Sequence, residues 1–351
     1  MKILVFGAGP LGCLLAARLH QGGLDVTLLA RGNKFKALVK DGIQLRRWSS
    51  REKETVRVPL TDQYSPDDNF DLVIVVMRKN NALDILPLLA KNTYTETFLF
   101  LMNNAAGPES FYQALGRDHV LMGFPGAAGY WEGNEIVHLK GEPGDPMGIV
   151  IGDNIAGDSA RANEIKQVLE KGRYIRVLPE PYMDAWSKYH VGLLFPALAP
   201  AFYLCGNDRM RIARTRDAVV LAWRGIKEGV KVLRKMGYPV RPAYLKRFLF
   251  LPEPFIVHFL EKMFRNPRME VAMTRHAAVI RDEIIQLNEE FSLLINRSGV
   301  FTPTINFLMD QFNQQAPPLP DGSRDIPLRW SEIIIPVLVM ILLMLILVYI
   351  F

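Results

Sequence analysis

Cysteine is almost absent: in 351 residues only Cys13 and Cys205 carry a thiol. Two thiols so far apart build no disulfide framework and fall short of a four-ligand zinc site, so the sequence predicts a reduced compartment and no bound metal. No block of lysine and arginine dominates either. The formal charge of +6 comes from 42 basic and 36 acidic residues spread along the chain. It suits an anionic ligand or an anionic membrane surface but leaves no nucleic-acid footprint, and no nucleic-acid partner is expected. The opening MKILVFGAGP has no basic region leading into a long apolar stretch, and its apolar run stops at a glycine turn, so no signal peptide is read there. What is present is ordinary globular composition, 49% apolar and 22% charged with 23 Pro and 26 Gly. That length supports two domains and excludes disorder, collagen and a pure coiled coil.

The mean hydropathy of +0.08 is high for a soluble enzyme, and its source lies at residues 333–351, IIIPVLVMILLMLILVYIF, which run without a charge. At about 1.5 Å per residue this stretch reaches roughly 28 Å, close to the hydrocarbon thickness of a bilayer. Pro336 falls in its first turn, Tyr349 near its far end, and Arg324 and Arg329 precede it as positive-inside flanks. The expectation is a single-pass C-terminal transmembrane helix in a lipid bilayer, with the body in the cytoplasm.

At the other end, residues 2–6 form a buried-strand run that passes into Gly7-Ala8-Gly9-Pro10-Leu11-Gly12 and then a helical stretch ending at Gly22-Gly23, before a second strand over residues 25–30. Strand, glycine turn, helix and strand within about 30 residues make the dinucleotide-binding βαβ unit. The first glycine makes the tight turn, the second admits a pyrophosphate to the backbone, and Gly12 lets helix and strand pack closely while the helix N-terminus faces the phosphates. Pro10 and Leu11 complete the turn. NAD-binding versions carry an acid at the end of the second strand; here the position is Ala30, followed by Arg31 with Lys34 and Lys36 behind it. A cation there pairs with a 2′-phosphate, so the cofactor expected is NADPH/NADP+.

Two further strongly apolar strands, residues 71–77 and 97–101, end in Arg78-Lys79-Asn80-Asn81 and Met102-Asn103-Asn104. Polar residues after the carboxyl ends of parallel strands line the ligand crevice, which makes Arg78, Lys79, Asn103 and Asn104 cofactor or substrate candidates. A glycine-rich β region (120–151) and a helix capped by Asp158-Ser159 follow, and Pro179-Glu180-Pro181 marks a boundary. Beyond it the pattern is helical: an uncharged run (189–205) broken by His190, Gly192, Pro196 and Pro200, an amphipathic stretch (218–236), and a long helix (274–297). The apolar stretch 248–264, with Lys246, Arg247 and Lys262 around it, reads first as a core helix and second as a surface against the bilayer. The fold class is therefore α/β: a Rossmann-type parallel sheet domain (1–180), an all-α domain (181–315), a stiff linker (316–332) and one transmembrane helix (333–351).

Two ionisable residues occupy apolar faces. Lys188 is the last cation before an uncharged stretch reaching Asp208, and Glu283 shares a helical face with Ile280, Leu287, Phe291 and Leu294. Such positions disfavour charge unless the group is paired or working.

The order of GAGPLG, LLAR, an asparagine turn after LFLM, Trp186-Ser187-Lys188, and Glu283 on a helix twenty residues before Pro303 resembles the ketopantoate reductase (2-dehydropantoate 2-reductase) family over roughly residues 1–315. The resemblance implies an NADPH-dependent reductase that converts a 2-oxo acid to a 2-hydroxy acid. Lys188 would be the general acid, Glu283 would lie beside the substrate, Asn103 or Asn104 on the nicotinamide side, and Arg78 or Lys79 at the family's basic position. Where the family places substrate-binding Asn, Asn and Ser, this chain has Gly192, Pro196 and Val271, which points to a more apolar or larger oxo substrate. A membrane-anchored NADPH sensor or scaffold without turnover is the alternative, and a homodimer is left open.

Overall fold

A computed structural model describes residues 1–154, 159–274 and 281–350, with the side chains of the last helix described as far as Ile341. The chain divides into two compact units that interleave in sequence, Met1–Val191 with Glu270–Leu294, and Gly192–Met269 with Ile295–Phe351. A single cut after residue 180 does not contain this return of 270–294 to the first unit.

The first unit runs β1 (Lys2–Phe6), α1 (Pro10–Gln21), β2 (Asp25–Leu29), α2 (Gly32–Asp41), β3 (Ile43–Arg47), β4 (Lys53–Val56), β5 (Leu60–Thr61), β6 (Leu72–Val75), α3 (Lys79–Leu89), β7 (Thr97–Leu101), α4 (Glu109–Leu115), β8 (Val120–Gly126), β9 (Ala128–Glu132), β10 (Glu135–Leu139), β11 (Met147–Gly152), α5 (Ala160–Leu169), β12 (Ile175–Pro179) and α6 (Met183–Leu193). Its main sheet has the order β12-β11-β8-β7-β6-β1-β2-β5, parallel except where β8 meets β11. The strands β1, β6 and β7 are buried along nearly their whole length because both faces of a parallel sheet are covered, which is why their sequences are continuous apolar runs. After β1 the chain adds β2 and β5 on one side, then crosses to β6 and β7 on the other. The glycine turn after β1 therefore sits at the switch point where such sheets bind ligands. A second sheet, β4-β3-β10-β9, is tied to α1 through buried Arg18, which donates to Gly141 O and to Glu54, both at 2.7 Å. Ser159 caps α5, accepting from Ala162 N; its expected companion Asp158 lies outside the described residues.

The second unit contains α7 (Ala199–Tyr203), α8 (Arg209–Arg214), α9 (Arg216–Lys235), α10 (Leu245–Leu249), α11 (Glu253–Phe264), the last turn of α12 (Arg281–Ser298), α13 (Pro303–Asn313) and α14 (Ser331–Ile350). The uncharged run is not one helix: α6 passes into a wider π turn over Leu194–Leu198 and then into α7, because Pro196 and Pro200 donate no backbone hydrogen bonds. The long helix expected from Thr274 begins at Arg281 as α12, residues 275–280 lying outside the described residues. Glu228 on α9 receives the free N–H groups of Thr304 and Ile305 at the start of α13, so one carboxylate satisfies a helix N-terminus.

Residues 316–332, expected as a stiff linker, are docked on the second unit as a strap. Leu319 N donates to Leu204 O at 2.8 Å, Arg214 clasps Asp321 at 2.6 Å, and Asp217 accepts from Asp325 N and Ile326 N at 2.9 Å. The polar groups that suggested solvated linker are the ones that fasten it. Among the described residues no helix is long and apolar enough to cross a membrane. The span expected over 333–351 falls in α14, and its side chains from residue 342 onward, Tyr349 included, lie outside the described residues.

Candidate active site

The glycines of the turn differ in what they permit. Gly7, at φ +125°, would place a Cβ 2.4 Å from Val76 O, and a Cβ at Gly12 would lie 1.9 Å from Gly7 O. Both are fixed by the protein's own backbone. Gly9 has nothing within 4 Å of such a Cβ, so its face of the turn is open in front of the N-terminus of α1, where Pro10 enters the first turn and Leu11 follows. The backbone approach and the helix dipole fit a pyrophosphate at this place. Arg31 is exposed at the N-cap of α2, directly after β2, with its guanidinium carbon 5.5 Å from the Phe6 ring centroid. Lys36 is also exposed, whereas Lys34 sits 3.3 Å over the Trp131 ring, where burial holds its pKa below the usual lysine range.

The turns after β6 and β7 form two connected polar networks. In one, Lys79, 4% exposed, donates to Asn104 Oδ1 at 2.8 Å and to Glu290 at 2.7 Å. Asn104 closes its own turn, donating to Gly107 O and accepting from Gly107 N, which fixes the orientation of its amide. Glu290 also accepts from Ala105 N and Ala106 N at 3.0 and 2.9 Å. Burial pushes the Lys79 pKa below its ordinary value; Glu290 opposes the shift and the nearby Lys188 charge adds to it. In the other network Asn103 donates to Glu283 at 2.9 Å, and Arg78 holds Asp282 at 2.7 Å while its Nε lies 3.7 Å from Glu283. The buried Asn103 Oδ1 has no hydrogen-bond partner among the described residues, an acceptor left for a ligand's N–H or O–H.

Lys188, 2% exposed on α6, pairs with Asp184 one turn earlier. A side-chain carbon at Gly107 would lie 3.4 Å from its Nζ, so the lysine abuts the Asn104–Gly107 turn. Beyond it, His190 stacks on Trp186 at 5.1 Å and lies 4.2 Å from Phe124.

The structure thus gathers Arg78, Lys79, Asn103, Asn104, Lys188 and Glu283 at the carboxyl ends of β6 and β7, within one unit. Sequence reasoning missed Glu290 and Asp184. The signal for Glu290 was available, since it lies seven residues after Glu283 and so on the same helical face. Of the substituted family positions, Pro196 and Val271 are buried and apolar. Among the described residues no group of three His, Cys, Asp or Glu side chains is placed to hold a metal ion.

A sheet whose parallel strands follow the order 3-2-1-4-5-6, with an open glycine turn at its switch point and ionisable groups at neighbouring strand ends, defines an α/β protein of the doubly wound class. Residues 3–153 match the family model Ketopantoate reductase PanE/ApbA. A 2-dehydropantoate 2-reductase of Pyrococcus horikoshii is 28% identical over 116 residues, 33% of this chain and only 37% of that protein's length. That of Archaeoglobus fulgidus is 23% identical over 300 residues, 85% of this chain and 95% of its own. Among solved structures, the ternary structure of D-mandelate dehydrogenase with NADH and anilino(oxo)acetate matches with a TM-score of 0.72 at 16% identity, over 90% of this chain and 98% of that one, a likeness of fold. Similarity in sequence to the ketopantoate reductase PanE/ApbA family thus covers residues 3–153 by the family model, and the solved structures share the fold.

Proposed function

We propose that the protein is an NADPH-dependent reductase of the ketopantoate reductase type that converts a 2-oxo acid or related ketone to the hydroxy product. The reading rests on one observation: Lys188 abuts the Asn104–Gly107 turn, which follows β7, two strands along the same sheet from the strand that ends in the open glycine turn. A bound nicotinamide cofactor would supply hydride to a carbonyl carbon. The protein's part is then to neutralise the charge that grows on the carbonyl oxygen, and Lys188 does so by donating its proton while Asp184 keeps the ammonium oriented. Asn103 and Glu283 offer an acceptor and a carboxylate to a hydroxyl or amide, and Arg31 offers a cation to a 2′-phosphate. The replacement of the family's polar substrate contacts, buried Val271 of this unit among them, favours a substrate with an apolar or larger body.

The same replacements favour the second reading, a cofactor-binding sensor or scaffold without turnover. NADPH consumption across a panel of 2-oxo acids and apolar ketones separates the two. Turnover with at least one apolar oxo acid supports the reductase; tight NADPH binding with every rate at background supports the sensor.

We also infer that residues 333–351 anchor the protein in a membrane with its body on the cytoplasmic side. The support is the uncharged run itself and the exposure of its described part on all sides, Ile335, Leu338 and Met340 among them.

A further inference from the structure

Aromatic side chains collect on the outside of α10 and α11. Phe250 is 81% exposed, Tyr244 61%, Phe255 60% and Phe259 50%. They form one patch: Tyr244 meets Phe248 edge-on with ring centroids 6.5 Å apart, and Phe248 lies 6.1 Å from Phe259 on the next helix. On α11 the spacing of Phe255, Phe259 and Lys262 places them on one face, while Ile256, Val257 and Phe264 are buried on the other. The stretch expected first as core is therefore core on one face only. Its rim is basic, with Lys246, Arg247, Lys262 and Arg265 exposed. The acids are withdrawn: Glu253 is fully buried against Arg224 at 2.8 Å, and Glu261 is half-buried.

The attachment of the last helix says what covers this patch. Glu253 opens α11; its N–H donates to Glu332 at 2.7 Å, its carboxylate accepts from Arg329 N at 3.0 Å, and Glu332 also receives Lys227 at 2.8 Å. The apolar run that begins at residue 333 thus leaves the unit where the aromatic helix starts. We propose that α10–α11 is a membrane-surface contact, with its aromatic rings seated at the interface of a bilayer and Lys246, Arg247, Lys262 and Arg265 facing anionic headgroups. The inference rests on the tail reading for the nearness of that bilayer. A second copy of the chain is a poorer occupant, because two basic rims would meet.

The test uses the full chain. Cys13 and Cys205 are buried, and burial pushes their thiol pKa values up to about 12 and about 11, so a thiol-reactive solvatochromic probe labels the single substitution Phe250→Cys selectively. The labelled chain is mixed with phosphatidylcholine vesicles containing or lacking phosphatidylserine, and flotation is scored beside emission. A blue shift that is larger with phosphatidylserine, and a docking equilibrium that falls about tenfold or more in K246E/R247E, is the expected result. Chain that floats while the probe stays in water overturns the patch and leaves the tail reading standing. Chain that fails to float on neutral vesicles but shifts on anionic ones overturns the tail and keeps the patch. A shift that depends on protein concentration without lipid means a second copy covers the rings, and that also overturns the proposal.

Discussion

Lys79 is buried with its ammonium between Asn104 and Glu290, so its charge is tolerated only while the carboxylate stays. Glu290→Ala leaves a buried cation with one neutral partner and strips the acceptor from two backbone N–H groups, and denaturant unfolding is expected to show a loss of about 3 to 5 kcal/mol. The double variant Lys79→Met/Glu290→Leu should recover part of it; a single-variant loss under about 1 kcal/mol would contradict the pairing. His190 is half-buried between Trp186 and Phe124, and desolvation lowers its pKa to about 4. An unfolded histidine protonates near ~6.5, so between those values the unfolded state holds more protons, stability falls as pH drops through the window, and it levels off below. Thermal melts of His190→Phe across this window should lose that slope, worth at most ~3 kcal/mol, and an unchanged slope would assign the acid sensitivity elsewhere. Lys188 and Glu283 were legible because ionisable groups on apolar faces stand out. Glu290 carried the weaker signal of sharing Glu283's helical face, and Glu289 beside it made the pair read as an ordinary solvated turn of helix.

At the scale of elements, the glycine turn makes two substitutions with one chemistry behave oppositely. Gly9 has φ −73° and ψ 174°, which alanine adopts freely, and open space around its Cβ position. Gly9→Ala is expected to melt like the wild type yet bind NADPH more weakly, whereas Gly12→Ala drives a methyl into Gly7 O and should lower the melting temperature outright. Equal melting losses for both would remove the argument that one glycine serves the ligand and the other the fold. The strands β1, β6 and β7 were readable because burial on both faces writes an almost unbroken apolar run, and β2 because it follows the helix-ending Gly22-Gly23. Strands β3 and β4 were not: IQLRR and KETV carry charges that look like loop, and their partners, such as Arg46 with Glu135 at 3.2 Å, come from β10, far along the chain.

At the scale of the whole molecule, a pattern of strands followed by helices announced two bodies, but nothing local told that α12 would divide between them or that residues 316–332 would be strapped down by Asp217 and Arg214. Those contacts join residues about a hundred apart, beyond any periodicity. They also set where the chain can be cut. Deleting 333–351 should leave melting temperature and NADPH affinity near wild type, while deleting from 331 also removes Glu332, the partner of Lys227 and of Glu253 N, and should cost about 1 to 2 kcal/mol. Equal stability of the two truncations would show the clamp to be idle. The central claim is that the chain turns over, with Lys188 giving the proton. It is tested by supplying NADPH deuterated at the transferable C4 position with the best oxo acid of the panel and weighing the product. One deuterium at the carbinol carbon is expected for the wild type. For Lys188→Ala, turnover is expected to fall about 10² to 10⁴-fold at little-changed NADPH affinity. Tight NADPH binding with no deuterated hydroxy acid, or a Lys188→Ala variant that turns over like the wild type, would contradict it.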